Sequence, residues 1–195
     1  MLTPEEQQRY SRHILLPGIG TEGQEKLKHA KVLVVGAGGL GCPLLLYLAA
    51  AGVGHIGIAD GDTVDESNLH RQVLYGTADT GRSKAATAAS KLAAMNPHIG
   101  FSVIDKKIIR ENALDILKQY DIIADGTDNF GTRYLLNDAC VILGLPLVSG
   151  SIFRFEGQAS VFATKARSAP GDPPSDRPLA GAMKGSTRTP CAARR

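Results

Sequence analysis

The sequence predicts an α/β fold, a mostly parallel sheet with helices on both faces. Three observations predict it. Short apolar runs alternate with helical stretches from Lys31 to Ser149, the first run passes directly into the glycine-rich turn VVGAGGLG (Val34 to Gly41), and strand, helix and strand fit inside one βαβ unit. Such a unit implies parallel strands and a right-handed crossover. A chain of 195 residues, 43% apolar and 21% charged, is large enough for one domain with its own core.

The elements follow in order. Thr3-Pro4-Glu5-Glu6 offers an N-cap hydroxyl, a proline at the first helical position and a capping-box glutamate, so a short helix should run to about His13. Thr21 and Gln24 repeat the start signal for a second short helix. Lys31–Val35 reads as a strand, Leu40–Ala51 as an apolar helix and His55–Ala59 as the next strand. After a polar segment, the alanine-rich run Ser83–Met95 is a helix stopped by Asn96-Pro97, because proline disfavours helical geometry in the residue before it. Phe101–Ile104 is a strand, Glu111–Gln119 a helix, Asp121–Ala124 a buried strand, Arg133–Leu143 a helix ended by Gly144, and Leu147–Ser149 a strand. FRFEGQASVFA, Phe153–Ala163, alternates around Glu156-Gly157 and predicts an antiparallel hairpin or a bulged strand.

From Thr164 the character changes. The last 32 residues hold five of the ten prolines and no Val, Ile, Phe or Tyr. They cannot bury enough apolar surface to offset the ordering of their backbone, which predicts a disordered tail over 164–195 after a domain over 1–163. That tail carries seven basic and two acidic residues, leaving fifteen basic and seventeen acidic before it, so the net charge of +3 belongs to the tail. No aromatic interleaving or binding motif supports nucleic acid as a direct partner. No apolar stretch is long enough to cross a bilayer and the N-terminus lacks a signal-peptide core, so the expected chain is soluble and cytoplasmic, with no membrane partner. Cys42, Cys140 and Cys191 form neither a disulfide framework nor a CxxC zinc pair. Cys42 and Cys140 read as packing residues in apolar helices.

Gly36, Gly38 and Gly41 make a GxGxxG between strand and helix. Glycine lets backbone amides approach phosphate, and the helix directs its positive end at the anion. Asp60, closing the next strand, suits a ribose hydroxyl. To this point NAD and ATP fit a Rossmann-like site equally. The polar segment separates them. DGDTVDESNLHRQ supplies Asp62, Asn68 and Arg71, GRSK supplies Lys84, and DGTDNF places Asp125 and Asp128 after the fourth strand. Singly, Arg71 reads as a surface charge, Lys84 as a helix-surface residue and Asp128 as a helix cap. Together, at consecutive strand ends, they favour a triphosphate with Mg²⁺ on Asp128.

RYSRHILLPGIG, GAGGLGCPLLLYLAAAGVG, SNLHRQ, GRSKA, DGTDNFGTRYLLNDAC and PLVSGSIFRFEGQASVF resemble the ThiF/MoeB/HesA family of ubiquitin-activating-enzyme-like adenylyltransferases, over roughly Thr3 to Ala163. The similarity is nearest to the eukaryotic adenylyltransferase and sulfurtransferase type of molybdenum cofactor synthesis and tRNA thiolation. It implies ATP contacts at Gly39, Asp60, Ser67, Asn68, Leu69, His70, Arg71, Lys84, Asp128 and Asn129, with Asp128 also at the magnesium position. It implies that Arg12 reaches the nucleotide of the other subunit in a homodimer. The implied reaction is ATP-dependent adenylation of the C-terminal glycine carboxylate of a ubiquitin-like sulfur carrier protein, with Arg12, Arg71, Lys84 and Mg²⁺ neutralising charge.

The resemblance also implies further sheet, a crossover loop with a catalytic cysteine and a zinc site on two CxxC pairs, and those ligands are absent here. The abrupt change at Thr164 suggests that the tail is read from another frame or a retained intron. Two rival readings follow: a truncated isoform that binds nucleotide or dimerises without catalysis, and an NAD-dependent oxidoreductase, which leaves Arg71, Lys84 and Asp128 without a shared role.

Overall fold

A computed structural model describes residues 1–162 and the pair Thr189–Pro190. Three short helices come first, α1 (Pro4–Arg9), α2 (Ser11–Ile14) and α3 (Gly20–His29). They are followed by β1 (Lys31–Val35), α4 (Gly41–Ala51), β2 (His55–Ala59), α5 (Lys84–Met95), β3 (Gly100–Ile104), α6 (Ala113–Leu117), β4 (Ile122–Asp125), α7 (Phe130–Leu143), β5 (Leu147–Phe153) and β6 (Glu156–Phe162). The sheet order is β3-β2-β1-β4-β5-β6, with a two-residue strand β7 (Thr189–Pro190) at the edge of β6. The first five strands pair in parallel and β6 pairs antiparallel with β5. This is the predicted Rossmann-like architecture.

Period-two alternation sorts the strand side chains into two cores. Val32, Val34, Ile56, Ile58 and Ala124 join Cys42, Leu45 and Ala49 of α4 and Ala85, Ala88 and Leu92 of α5. Leu33, Val35, Ala59 and Ile123 join Ile116 and Leu117 of α6 and Leu136 and Cys140 of α7 on the other face. Full burial of each large side chain, such as Leu33, Leu45 or Ile56, contributes about 1.5–3 kcal/mol.

The N-terminal helices dock at the far end of α4 and α5. Thr3 and Glu6 form the expected capping box. Glu6, 4% exposed, also meets Lys28 at 2.6 Å. Burial pushes its carboxyl up, but Lys28 and the Thr3 N–H outweigh that and hold it below the usual value. Asn96 Nδ2 donates to Tyr10 Oη and to the Ala49 carbonyl, and Gln24 Nε2 donates to the Ala51 carbonyl at 2.8 Å. The helix expected to run from Thr3 to His13 is thus broken at Tyr10, whose ring turns inward beside Gly52. The helix expected to start at Thr21 starts at Gly20, without a side-chain cap, and Gln24 spends its amide on α4 rather than on a capping box.

The hairpin turn is Arg154-Phe155, since Phe153 pairs with Glu156, and not Glu156-Gly157. Arg154 takes φ +56, the sign a II′ turn needs at its first position. Ile152, Phe153, Phe155 and Val161 are exposed on this hairpin. The expected disorder of 164–195 lies outside the described residues apart from Thr189–Pro190, as does Cys191. No helix among the described residues is long and apolar enough to cross a membrane.

Candidate functional site

The strand order reverses between β1 and β4, and the crevice beyond their carboxyl ends is where open α/β sheets bind ligands. The glycine turn fills this position. Gly36 has φ +89, and a Cβ there would lie 3.1 Å from the Gly126 carbonyl. A Cβ on Gly41 would lie 1.9 Å from the Gly36 oxygen. Gly36 and Gly41 therefore serve chain geometry and close packing. Gly38 and Gly39 differ: a Cβ there would make only ordinary contacts, with Gln72 Nε2 at 3.6 Å and Arg71 Cδ at 3.4 Å. Their face is the open one. Helix α4 starts behind it with no side-chain cap and no acidic residue in its first turn, leaving the positive helix end toward the crevice.

Three carboxylates frame the turn. Asp60 Oδ2 accepts from the Ala37 N–H at 2.7 Å and Oδ1 from the Asp62 N–H at 2.8 Å, so it locks the turn to the end of β2. Asp125, 2% exposed, accepts from the Thr127 N–H and hydroxyl and from the Ser149 hydroxyl, fixing the loop after β4. Gly126 packs against Gly36 and Gly41, which sets the Asp128 loop directly beside the glycine turn. Asp128 is exposed, and Arg133 steadies its loop by donating to the Thr127 carbonyl, with Nε at 3.0 Å.

The cations approach from the segment after β2. Asp65 caps the 3-10 turn Glu66–Asn68 by accepting from the Ser67 N–H. Asn68 Oδ1 accepts from Arg71 Nη2 at 2.6 Å, His70 Nε2 lies 3.3 Å from Arg71 Nη1, and the Arg71 stem lies along Gly39. Leu69 packs against the core. Lys84 is only 7% exposed and opens α5, a costly place for a cation because burial and the helix dipole both oppose it. Its Nζ lies 3.6 Å from Asp62 Oδ2, too long for a hydrogen bond. Tyr75 ties it to the turn, its hydroxyl lying 2.9 Å from the Ala37 carbonyl and 3.3 Å from the Lys84 carbonyl. Burial pushes that phenol well above its usual range, so it stays a proton donor.

One expected residue stands apart. Arg12 lies on α2, whose neighbour His13 bonds Gln24 and through it the end of α4 at Ala51. Eleven helical residues, about 16 Å, separate that end from the crevice, so Arg12 does not join the site of its own chain. Asn129 uses its side chain to cap α7, accepting from Gly131 and Thr132 N–H. Burial raises the Cys42 thiol and pushes Cys140 up to about 11, as suits packing residues. Gln72, Tyr75, Gly126 and Arg133 line or brace the turn and its loops without a sequence signal of their own.

Residues 10–193 match the ThiF family. The chain belongs to the ThiF family. It is 62% identical over 161 residues to the probable adenylyltransferase/sulfurtransferase MoeZ of Mycobacterium tuberculosis, covering 83% of this chain and 41% of that one. It is 55% identical over 160 residues to the sulfur carrier protein adenylyltransferase of Thermus thermophilus, covering 82% and 59%. The crystal structure of E. coli MccB with ATP aligns with a TM-score of 0.72 at 30% identity, covering 81% of this chain and 48% of that one. This ThiF-family chain spans less than two thirds of the length of the curated relatives it matches.

Proposed function

We propose that residues 1–163 form an adenylation domain that activates the C-terminal glycine carboxylate of a ubiquitin-like sulfur carrier protein with ATP. What supports this reading is the Gly38-Gly39 face, the Arg71 stem along Gly39, and a buried Lys84 whose Nζ lies 3.6 Å from Asp62, on a segment tied to the glycine turn through Asp60 and Tyr75. Two cations there suit a triphosphate better than a dinucleotide bridge. A carrier carboxylate oxygen attacks the α-phosphorus, the bond to the β-phosphate oxygen breaks, pyrophosphate leaves and an acyl-adenylate remains. The nucleophile is already ionised, so no general base is needed. Arg71 and Lys84 hold two anions together and neutralise charge as it moves to pyrophosphate. Arg12 of a second copy adds a further cation if the protein works as a homodimer.

Asp128 fits Mg²⁺ by its chemistry: it is an exposed carboxylate on the loop packed beside the phosphate-facing turn, and Mg²⁺ takes one or two carboxylates with phosphate oxygens and water. The ion would supply charge neutralisation there.

The test is carrier-dependent exchange of labelled pyrophosphate into ATP, expected in the wild type and lost in Lys84→Ala and Asp128→Ala. Exchange equal in all three proteins would end the proposal. Mg·ATP binding with exchange absent would instead support a form that binds nucleotide or dimerises without catalysis.

A further inference from the structure

Two glutamines are buried in this chain, and they differ in one respect. Gln24, fully buried, is bonded at both amide ends, to the Ala51 carbonyl at 2.8 Å and to His13 Nδ1 at 3.2 Å. This is what a structural glutamine requires, since a buried amide without partners costs free energy. Gln72 is 3% exposed, yet its Oε1 has no hydrogen-bond partner. Its Nε2 lies 3.6 Å from the position a Cβ would take on Gly38, on the open face of the glycine turn.

The backbone around Gln72 is well held. Its N–H donates to the Asn68 carbonyl at 3.0 Å and its carbonyl accepts from the Tyr75 N–H at 3.1 Å. The side chain is therefore brought to the turn by ordered structure on either side, between Arg71 along Gly39 and Tyr75 bonded to Ala37. A buried amide whose Oε1 is unanchored and whose Nε2 faces the glycine turn is free to turn and donate to an anion seated on that turn.

We propose that Gln72 is a nucleotide-binding residue, whose amide N–H donates to a non-bridging phosphate oxygen of ATP lying over Gly38. It is the neutral partner of Arg71 and Lys84, reading phosphate position without adding charge. The assignment rests on the adenylation reading above and adds a residue to it.

The test measures ATP and ADP binding by calorimetry and thermal unfolding of the full chain in wild type, Gln72→Met and Gln72→Glu. Met keeps the length of the side chain and removes both polar ends; Glu keeps its shape and carries negative charge. Free Gln72→Met is expected to melt at or above the wild type while its ATP affinity falls about tenfold, the value of one hydrogen bond to a charged group. Gln72→Glu is expected to bind more weakly still, and to recover relative to wild type as the pH falls from 8 to 5 and the carboxyl regains a proton to donate. Wild-type ATP affinity in Gln72→Met overturns the assignment. So does an affinity loss matched by a lower melting temperature of the free protein, which marks packing alone. If Gln72→Met does not fold, a Gln72→Glu deficit that does not change with pH overturns it. A wild type that binds no ATP overturns the adenylation reading as well, whereas a wild type that binds ATP beside unaffected variants overturns the role of Gln72 alone.

Discussion

Alanine at Gly41 and alanine at Gly39 should separate the two uses of the glycine turn. At Gly41 the added Cβ falls 1.9 Å from the Gly36 oxygen and 2.8 Å from its carbonyl carbon, about 1.5 Å short of ordinary contact with a backbone atom that has no rotamer to change. The start of α4 has to move relative to β1. Overpacking of this kind costs roughly 3 kcal/mol. In a domain of this size that lowers the melting temperature by about 6–12 °C. At Gly39 the new Cβ meets Arg71 Cδ at 3.4 Å, the flexible part of an exposed side chain, and the backbone is not left-handed, so stability should change by less than about 0.5 kcal/mol. The methyl group stands instead between the turn and an approaching phosphate and displaces Arg71 from it. ATP affinity should fall at least about tenfold, or ~1.4 kcal/mol. Calorimetric unfolding and equilibrium ATP binding on both variants provide the readouts. A Gly39→Ala protein that binds ATP as the wild type does refutes phosphate approach at this face, and a Gly41→Ala protein of wild-type stability refutes the packing role.

Two other outcomes follow from the same geometry. Lys84→Met removes a buried cation whose partner Asp62 is itself solvated, so unfolding free energy should hold or rise by up to about 1 kcal/mol while ATP affinity drops about 10–100-fold; a clear loss of stability in urea titrations would show that Lys84 is structural. Glu6 has its carboxyl held below the usual range in the fold, so its stabilisation is present above the ordinary carboxylate pKa and is lost as the pH falls through the depressed value. The stability gap between wild type and Glu6→Gln should therefore be widest near neutral pH and close on acidification, and a gap constant with pH would refute the Lys28 pairing as its source.

The parts of the candidate site written in local chemistry are legible in the sequence. The glycine turn, the Asp60 strand end and the SNLHRQ segment each carry a residue pattern with its own physical reason. The Tyr10 break was not legible, because the capping box at Thr3 specifies a start and only packing of the Tyr10 ring against Gly52 specifies the stop. Gln24 shows the same limit: its spacing from Thr21 mimics a capping box, and the carbonyl that takes its amide lies 27 residues away in α4. Asn129 reads as a nucleotide contact, and its Oδ1 also caps α7, a role its neighbours Gly131 and Thr132 define.

What the sequence determined by itself was the set of elements and the chemistry each delivers to its end: period-two strands that must be covered on both faces, and cations and acids at the strand tips. These depend on neighbours within a few positions. Tertiary structure alone decided which tips meet. The reversal of strand order at β1 and β4 brings Gly126 onto Gly36, and the docking of α1 to α3 on the far end of α4 removes Arg12 from its own crevice. It also left Gln72 buried beside Gly38 without a partner for its Oε1. Burial and pairing are properties of distant segments packed together, and no window of neighbouring residues contains them.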